Sequence, residues 1–139
     1  MYRKILVALD ATDADRAILE HVSALAKALG SKVSLLHVAD GWAARLFGKD
    51  AVSPEISKDT AYLESVRARL AAEGLDVEAE LSYGEPSDEI IRRVGEGGCD
   101  FVALTTHGHK FLTNALLGTT VDKVRRMVNV PVLLIKAQK

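Results

Sequence analysis

Thr105-Thr106-His107-Gly108 is followed, after nine residues, by Gly118-Thr119-Thr120. Small and hydroxyl-bearing residues at that spacing can hold an anion. Gly108 lets the backbone approach phosphate oxygens, Gly118 permits a sharp turn into a helix, and the unpaired N–H groups at the helix start donate together with the Thr119 and Thr120 hydroxyls. Asp10, in Leu9-Asp10-Ala11-Thr12, is a carboxylate that can accept from ribose hydroxyls or help hold a divalent cation beside phosphates. The same residues have plainer uses: Thr119-Thr120-Val121-Asp122 fits a helix capping box, Gly118 is an ordinary turn residue, and Asp10 can bond nearby loop amides. Gly-x-x-x-x-Gly-Lys-Ser/Thr does not occur and no Gly-x-Gly-x-x-Gly follows the first strand, so Walker-type and dinucleotide-type sites are excluded. No nucleophile is matched with a base and no carboxylates are paired for acid–base work, so binding rather than catalysis is expected. His107 and His109 have a ligand-like spacing but no Cys or carboxylate nearby, and no metal site is expected there. Lys110 could add positive potential to a phosphate site.

These residues are positioned by alternating strands and helices. Residues 5–9 form an apolar run, and Ala14, Ala17, Ile18, Val22, Leu25 and Leu29 then recur at helical spacing. Thr12 and Asp15 read as an N-terminal cap, and Gly30 as the stop. Residues 33–38 form a second strand, in which His37 reads as a hydrogen-bonded structural histidine. Residues 40–53 lack a period and form a long loop carrying Trp42, Leu46 and Phe47, either a lid, a protein contact or a segment packed on its own domain. Pro54 opens a helix with Ile56, Leu63, Val66 and Leu70 on one stripe, residues 77–83 alternate as an edge strand does, and Pro86 opens a third helix ended by Gly95, Gly97 and Gly98. A fourth strand spans 101–104, a loop 105–118, a fourth helix 119–128 and a fifth strand 131–135. The pattern βαβαβαβαβ requires right-handed crossovers, and hence an α/β fold with an open parallel five-stranded sheet covered by helices on both faces. Ligands of such sheets bind beyond the carboxyl ends of the strands, where the stretches after Leu9, Val38 and Leu104 meet.

One domain accounts for all 139 residues. Eighteen basic against 19 acidic residues leave a net charge of -1, which provides no basic stripe for nucleic acid. No apolar stretch reaches membrane-spanning length and the N-terminus has no leader-like segment, so a cytoplasmic address without membrane attachment is expected. Cys99 is the single cysteine, which excludes an internal disulfide, and its place before a buried strand makes it an inert small hydrophobe.

Asp10, Leu35-Leu36-His37-Val38, Thr105-Thr106-His107-Gly108 and Gly118-Thr119 before Pro131-Val132-Leu133-Leu134 together resemble the universal stress protein family over nearly the whole chain. The resemblance implies a Rossmann-like sheet, similar to that of the adenine nucleotide alpha hydrolases, in the order 3-2-1-4-5. It also implies homodimers paired through the fifth strand and a stress-response role acting on a regulatory protein partner. The family's ATP-binding branch carries Gly-x2-Gly-x9-Gly-Ser/Thr; here Gly108, the spacing, Gly118 and Thr119 are kept while Thr105 stands at the first glycine. By resemblance, ATP or a related adenine nucleotide, alone or with Mg²⁺, would lie against Ala8, Leu9, Asp10, Val38, Thr105, His107, Gly108, Gly118, Thr119 and Thr120. The non-binding branch, a dimeric interaction module whose cleft Thr105 closes, is the alternative.

Overall fold

The computed structural model describes residues 1–39, 54–106 and 115–137; side chains are described outside 54–56 and 115–119. Within these residues the order is β1 (Lys4–Leu9), α1 (Asp15–Leu29), β2 (Lys32–Ala39), α2 (Pro54–Ala72), β3 (Val77–Tyr83), α3 (Pro86–Gly97), β4 (Phe101–Thr105), α4 (Ala115–Met127) and β5 (Val132–Ile135). All strand pairings are parallel and the sheet order is β3-β2-β1-β4-β5, as expected.

Alternation along each strand divides the core into two layers. Ile5, Val7, Leu9, Val33, Leu35 and Ala103 face Ile18 and Val22 of α1 and Leu63, Val66 and Leu70 of α2. Leu6, Leu36, Val102 and Leu104 face Ile90 and Val94 of α3 and Val124 of α4. β1 is central and buried on both sides, and it therefore reads as an unbroken apolar run. Each fully buried Leu, Ile or Val contributes roughly 1.5–3 kcal/mol through removal from water.

The helix boundaries follow from backbone chemistry. α1 ends where Gly30 takes φ 70° and donates its N–H to the Ala26 carbonyl. α3 starts after Glu85, whose carboxylate accepts from the Ser87 and Asp88 amides, with Pro86 in the first turn. Two expected starts are corrected. α1 begins at Asp15 with Ala14 at the capping position and no side-chain cap; the Thr12 hydroxyl instead accepts from the Ala14 amide, shaping the turn ahead of the helix. α4 begins at Ala115, four residues before the expected start at Thr119, because Ala115-Leu116-Leu117 are good helix formers and Gly118 lies within the helix rather than before it. Thr119-Thr120-Val121-Asp122 is therefore no capping box, and Thr105 ends β4 instead of opening a loop.

Candidate functional site

The carboxyl ends of β1, β2 and β4 lie side by side. Ala8 of β1 stands opposite Leu36 of β2, with Val38 two residues further along. Both Ala8 and Val38 are partly exposed and pack on the layer built with α3 and α4, so they form a small apolar floor at the end of the sheet. Leu9 points to the opposite layer and is buried, which leaves its backbone and not its side chain at the edge. Asp10 follows directly and is half-buried. α4, the crossover from β4 to β5, packs on the floor's side of the sheet through Val121 and Val124 and starts at this edge.

Beneath Asp10 lies a buried polar cluster. The Asp15 carboxylate, 1% exposed, accepts from the Asp10 amide at 2.8 Å, the Ala11 amide at 2.9 Å and the Tyr62 hydroxyl at 2.8 Å. Burial pushes the Asp15 carboxyl above the ordinary range, opposed by these hydrogen bonds and by nearby His37. Burial and the Asp15 carboxylate together raise the Tyr62 phenol far above its usual value, so it stays protonated as a donor. His37 places Nδ1 2.8 Å from the Leu9 carbonyl and Nε2 3.0 Å from Asp59 Oδ2. It is the structural histidine that its apolar strand suggested.

A model of the universal stress protein family matches residues 1–136. The chain belongs to this family. Universal stress protein YxiE of Bacillus subtilis (strain 168) is 28% identical over 148 residues, covering 98% of this chain and 100% of that one. Universal stress protein MJ0577 of Methanocaldococcus jannaschii is 26% identical over 155 residues, and its solved structure matches with a TM-score of 0.83 over 100% of this chain and 99% of that chain. A universal stress protein from Archaeoglobus fulgidus, solved in complex with dAMP, shares the fold at 22% identity with a TM-score of 0.71, covering 97% of this chain and 98% of that one.

In this universal stress protein the described residues expected at the sheet edge separate into three groups. Ala8, Asp10 and Val38 come together as a floor with a carboxylate beside it. Thr105 pairs with Ile135, and strand alternation puts it on the Ala103 side, away from that floor. Its hydroxyl is buried with no hydrogen-bond partner among the described residues, and its backbone lies outside the left-handed region, so nothing in the local conformation requires a glycine. Gly118, Thr119 and Thr120 lie inside α4. The unpaired amides at that helix start belong to residues before Gly118, so Thr119 and Thr120 have no free amide to offer a ligand. His107, Gly108, His109 and Lys110, like Trp42, Leu46 and Phe47, lie outside the described residues.

Asp59 and Tyr62 were not expected in this region, and Asp15 was expected only as part of a helix cap, although a signal for two of them was present. Asp59 falls between Ile56 and Leu63 on the apolar stripe of α2, and Asp15 is in step with Ile18, Val22 and Ala26 of α1. A carboxylate on a buried stripe has to meet donors there. Cys99 is buried, and burial raises its thiol above the usual value, which fits an inert residue.

Proposed function

We propose that this protein is a non-catalytic regulatory binder of ATP or a related adenine nucleotide at the carboxyl edge of its sheet. The observation that carries the reading is the partly exposed apolar floor of Ala8 and Val38 beside the half-buried Asp10, at the edge where α4 starts. A flat apolar base fits the floor, ribose hydroxyls fit an acceptor at Asp10, and phosphates would extend toward the start of α4. Asp10 would also supply an oxygen ligand to Mg²⁺ travelling with the phosphates. Thr105 does not occupy the floor, which favours the nucleotide-binding branch over a cleft closed at that position. The polar groups beneath the edge are engaged within the protein, Asp15 by loop amides and Tyr62, and His37 by Leu9 and Asp59, which favours binding over turnover.

Calorimetric titration with ATP, with and without Mg²⁺, tests the reading. Saturable binding is expected, weakened roughly tenfold in Asp10→Ala through loss of a hydrogen bond to a charged group and abolished in Ala8→Leu, which fills the floor. Thr105→Gly is expected to change affinity less than about threefold, well under the tenfold that 1.4 kcal/mol represents. A protein that binds ATP only after Thr105→Gly would instead be the interaction module of the non-binding branch. Among the described residues no helix is long and apolar enough to cross a membrane, and the proposed setting is the cytoplasm, with a homodimer through β5 presenting the nucleotide state to a protein partner.

A further inference from the structure

Residue 10 is held from both sides by groups that do not themselves face the sheet edge. The Leu9 carbonyl is bonded to His37, which is held by Asp59; the Asp10 and Ala11 amides are bonded to Asp15, which is held by Tyr62. Asp59 and Tyr62 are three residues apart, so they stand on one face of α2. Ala11 adopts φ 61°, a left-handed conformation that disfavours any side chain, and it persists where surrounding bonds over-determine it.

We propose that Asp15 is a positioning residue of the ligand site, fixing the Asp10–Ala11 backbone so that the Asp10 carboxylate is preset for its ligand, with Tyr62 holding Asp15 in turn. The inference rests on the adenine-nucleotide reading of the edge. A carboxylate is required by the donor count. Asp15 Oδ1 accepts from Asp10, while Oδ2 accepts from both Ala11 and Tyr62. An asparagine has one oxygen and one NH₂ group. With its oxygen on the two-donor side, its NH₂ faces the Asp10 N–H, donor against donor, and that bond is lost. The defect should therefore fall on residue 10 and spare the Ala11 bond. The arrangement also assigns the loop's amides to the protein itself, so the ligand meets Asp10 through its side chain.

The test combines ATP titration with residue-resolved amide exchange in the wild-type chain, Asp15→Asn and Tyr62→Phe. In Asp15→Asn, ATP affinity is expected to fall about tenfold, the loss of one well-made bond at the site. Exchange at Asp10 should accelerate by a similar factor, while amides of the central strands, such as Val7 and Leu35, exchange as in wild type. Tyr62→Phe, which leaves both loop amides bonded, should weaken binding by less. Wild-type affinity in Asp15→Asn overturns the proposal and leaves the nucleotide reading standing. No ATP binding by the wild-type chain overturns that reading, and Asp10 exchange then decides by itself: acceleration in Asp15→Asn upholds Asp15 as the anchor of the loop, and unchanged exchange overturns this as well. If Asp15→Asn does not fold, Tyr62→Phe carries the test, and ATP affinity and Asp10 exchange both equal to wild type overturn the proposal.

Discussion

Asp15 is costly to the fold as a charge and useful as an acceptor, and pH separates the two. Its folded carboxyl sits above the ordinary value because burial outweighs three hydrogen bonds. A carboxyl raised by folding contributes stability that is fully present below its unfolded value and is lost as pH rises through the folded value. The groups around it are Tyr62 and Asp59 from α2, His37 from β2 and Asp10 from its own loop. Asp15→Asn removes this titration while keeping the other carboxylates, so the difference in unfolding free energy between variant and wild type should move in the variant's favour as pH rises from acid toward neutrality. Denaturant unfolding across that range measures it, and a difference independent of pH would show that Asp15 keeps its unfolded titration behaviour. The His37–Asp59 pair contributes through its buried hydrogen bond. Both side chains are buried, at 5% and 8% exposure, so Asp59→Leu strands a buried imidazole nitrogen and is expected to cost about 2–3 kcal/mol in the same experiment.

At the scale of the elements, α3 depends on an unusual cap. Glu85 is longer than the usual capping residues, yet its carboxylate reaches the Ser87 and Asp88 amides. Burial raises its carboxyl, but the Ser87 hydroxyl and the two amides outweigh this and hold it below the ordinary value. That contribution is present above the unfolded value and is lost as pH falls through the folded one. Glu85→Ala should cost about 1 kcal/mol at neutral pH, measured by denaturant unfolding, with the deficit shrinking in acid. Such elements were legible where backbone chemistry marked them: Pro54 and Pro86 open their helices, Gly30 and Gly98 end theirs, and the apolar runs of β1 and β2 announce strands buried on both faces. The start of α4 falls earlier than expected because Gly118 and Thr119 look like a turn and a cap, whereas the preceding Ala-Leu-Leu favours helix. In the site, Asp10 and Val38 could be placed from strand ends, and Ala8 only through the family resemblance. The Asp15–Tyr62 partnership could not be placed from either, because it joins α1 to α2 across 47 positions and depends on tertiary packing that local periodicity does not encode.

The whole sheet has two edges that differ in kind. Along β3, Glu78 is paired with Lys4, Lys32 and Arg93, and Glu80 lies near Arg92 and Arg93. Lys4 leads in holding the Glu78 carboxyl below its ordinary value. Charges on an edge strand oppose pairing with another chain. β5, by contrast, is Val-Leu-Leu-Ile, and Leu134 is 41% exposed. Among the described residues no strand pairs with the outer side of β5; such an apolar edge is a template for strand addition, and pairing two copies of β5 across a two-fold axis would satisfy both edges at once. It would also leave the carboxyl edge that carries Asp10 open, since that edge lies at the strand ends rather than along β5. The wild-type chain is therefore expected to sediment as a dimer at micromolar concentration, and Leu134→Lys, which places a charge on the edge without touching the core, as a monomer. ATP binding should survive in that monomer, because Ala8, Asp10 and Val38 come from β1, its following loop and β2 of a single chain. A wild-type monomer would rule out β5 pairing, whereas loss of ATP binding on dissociation would mean that the second copy completes the site.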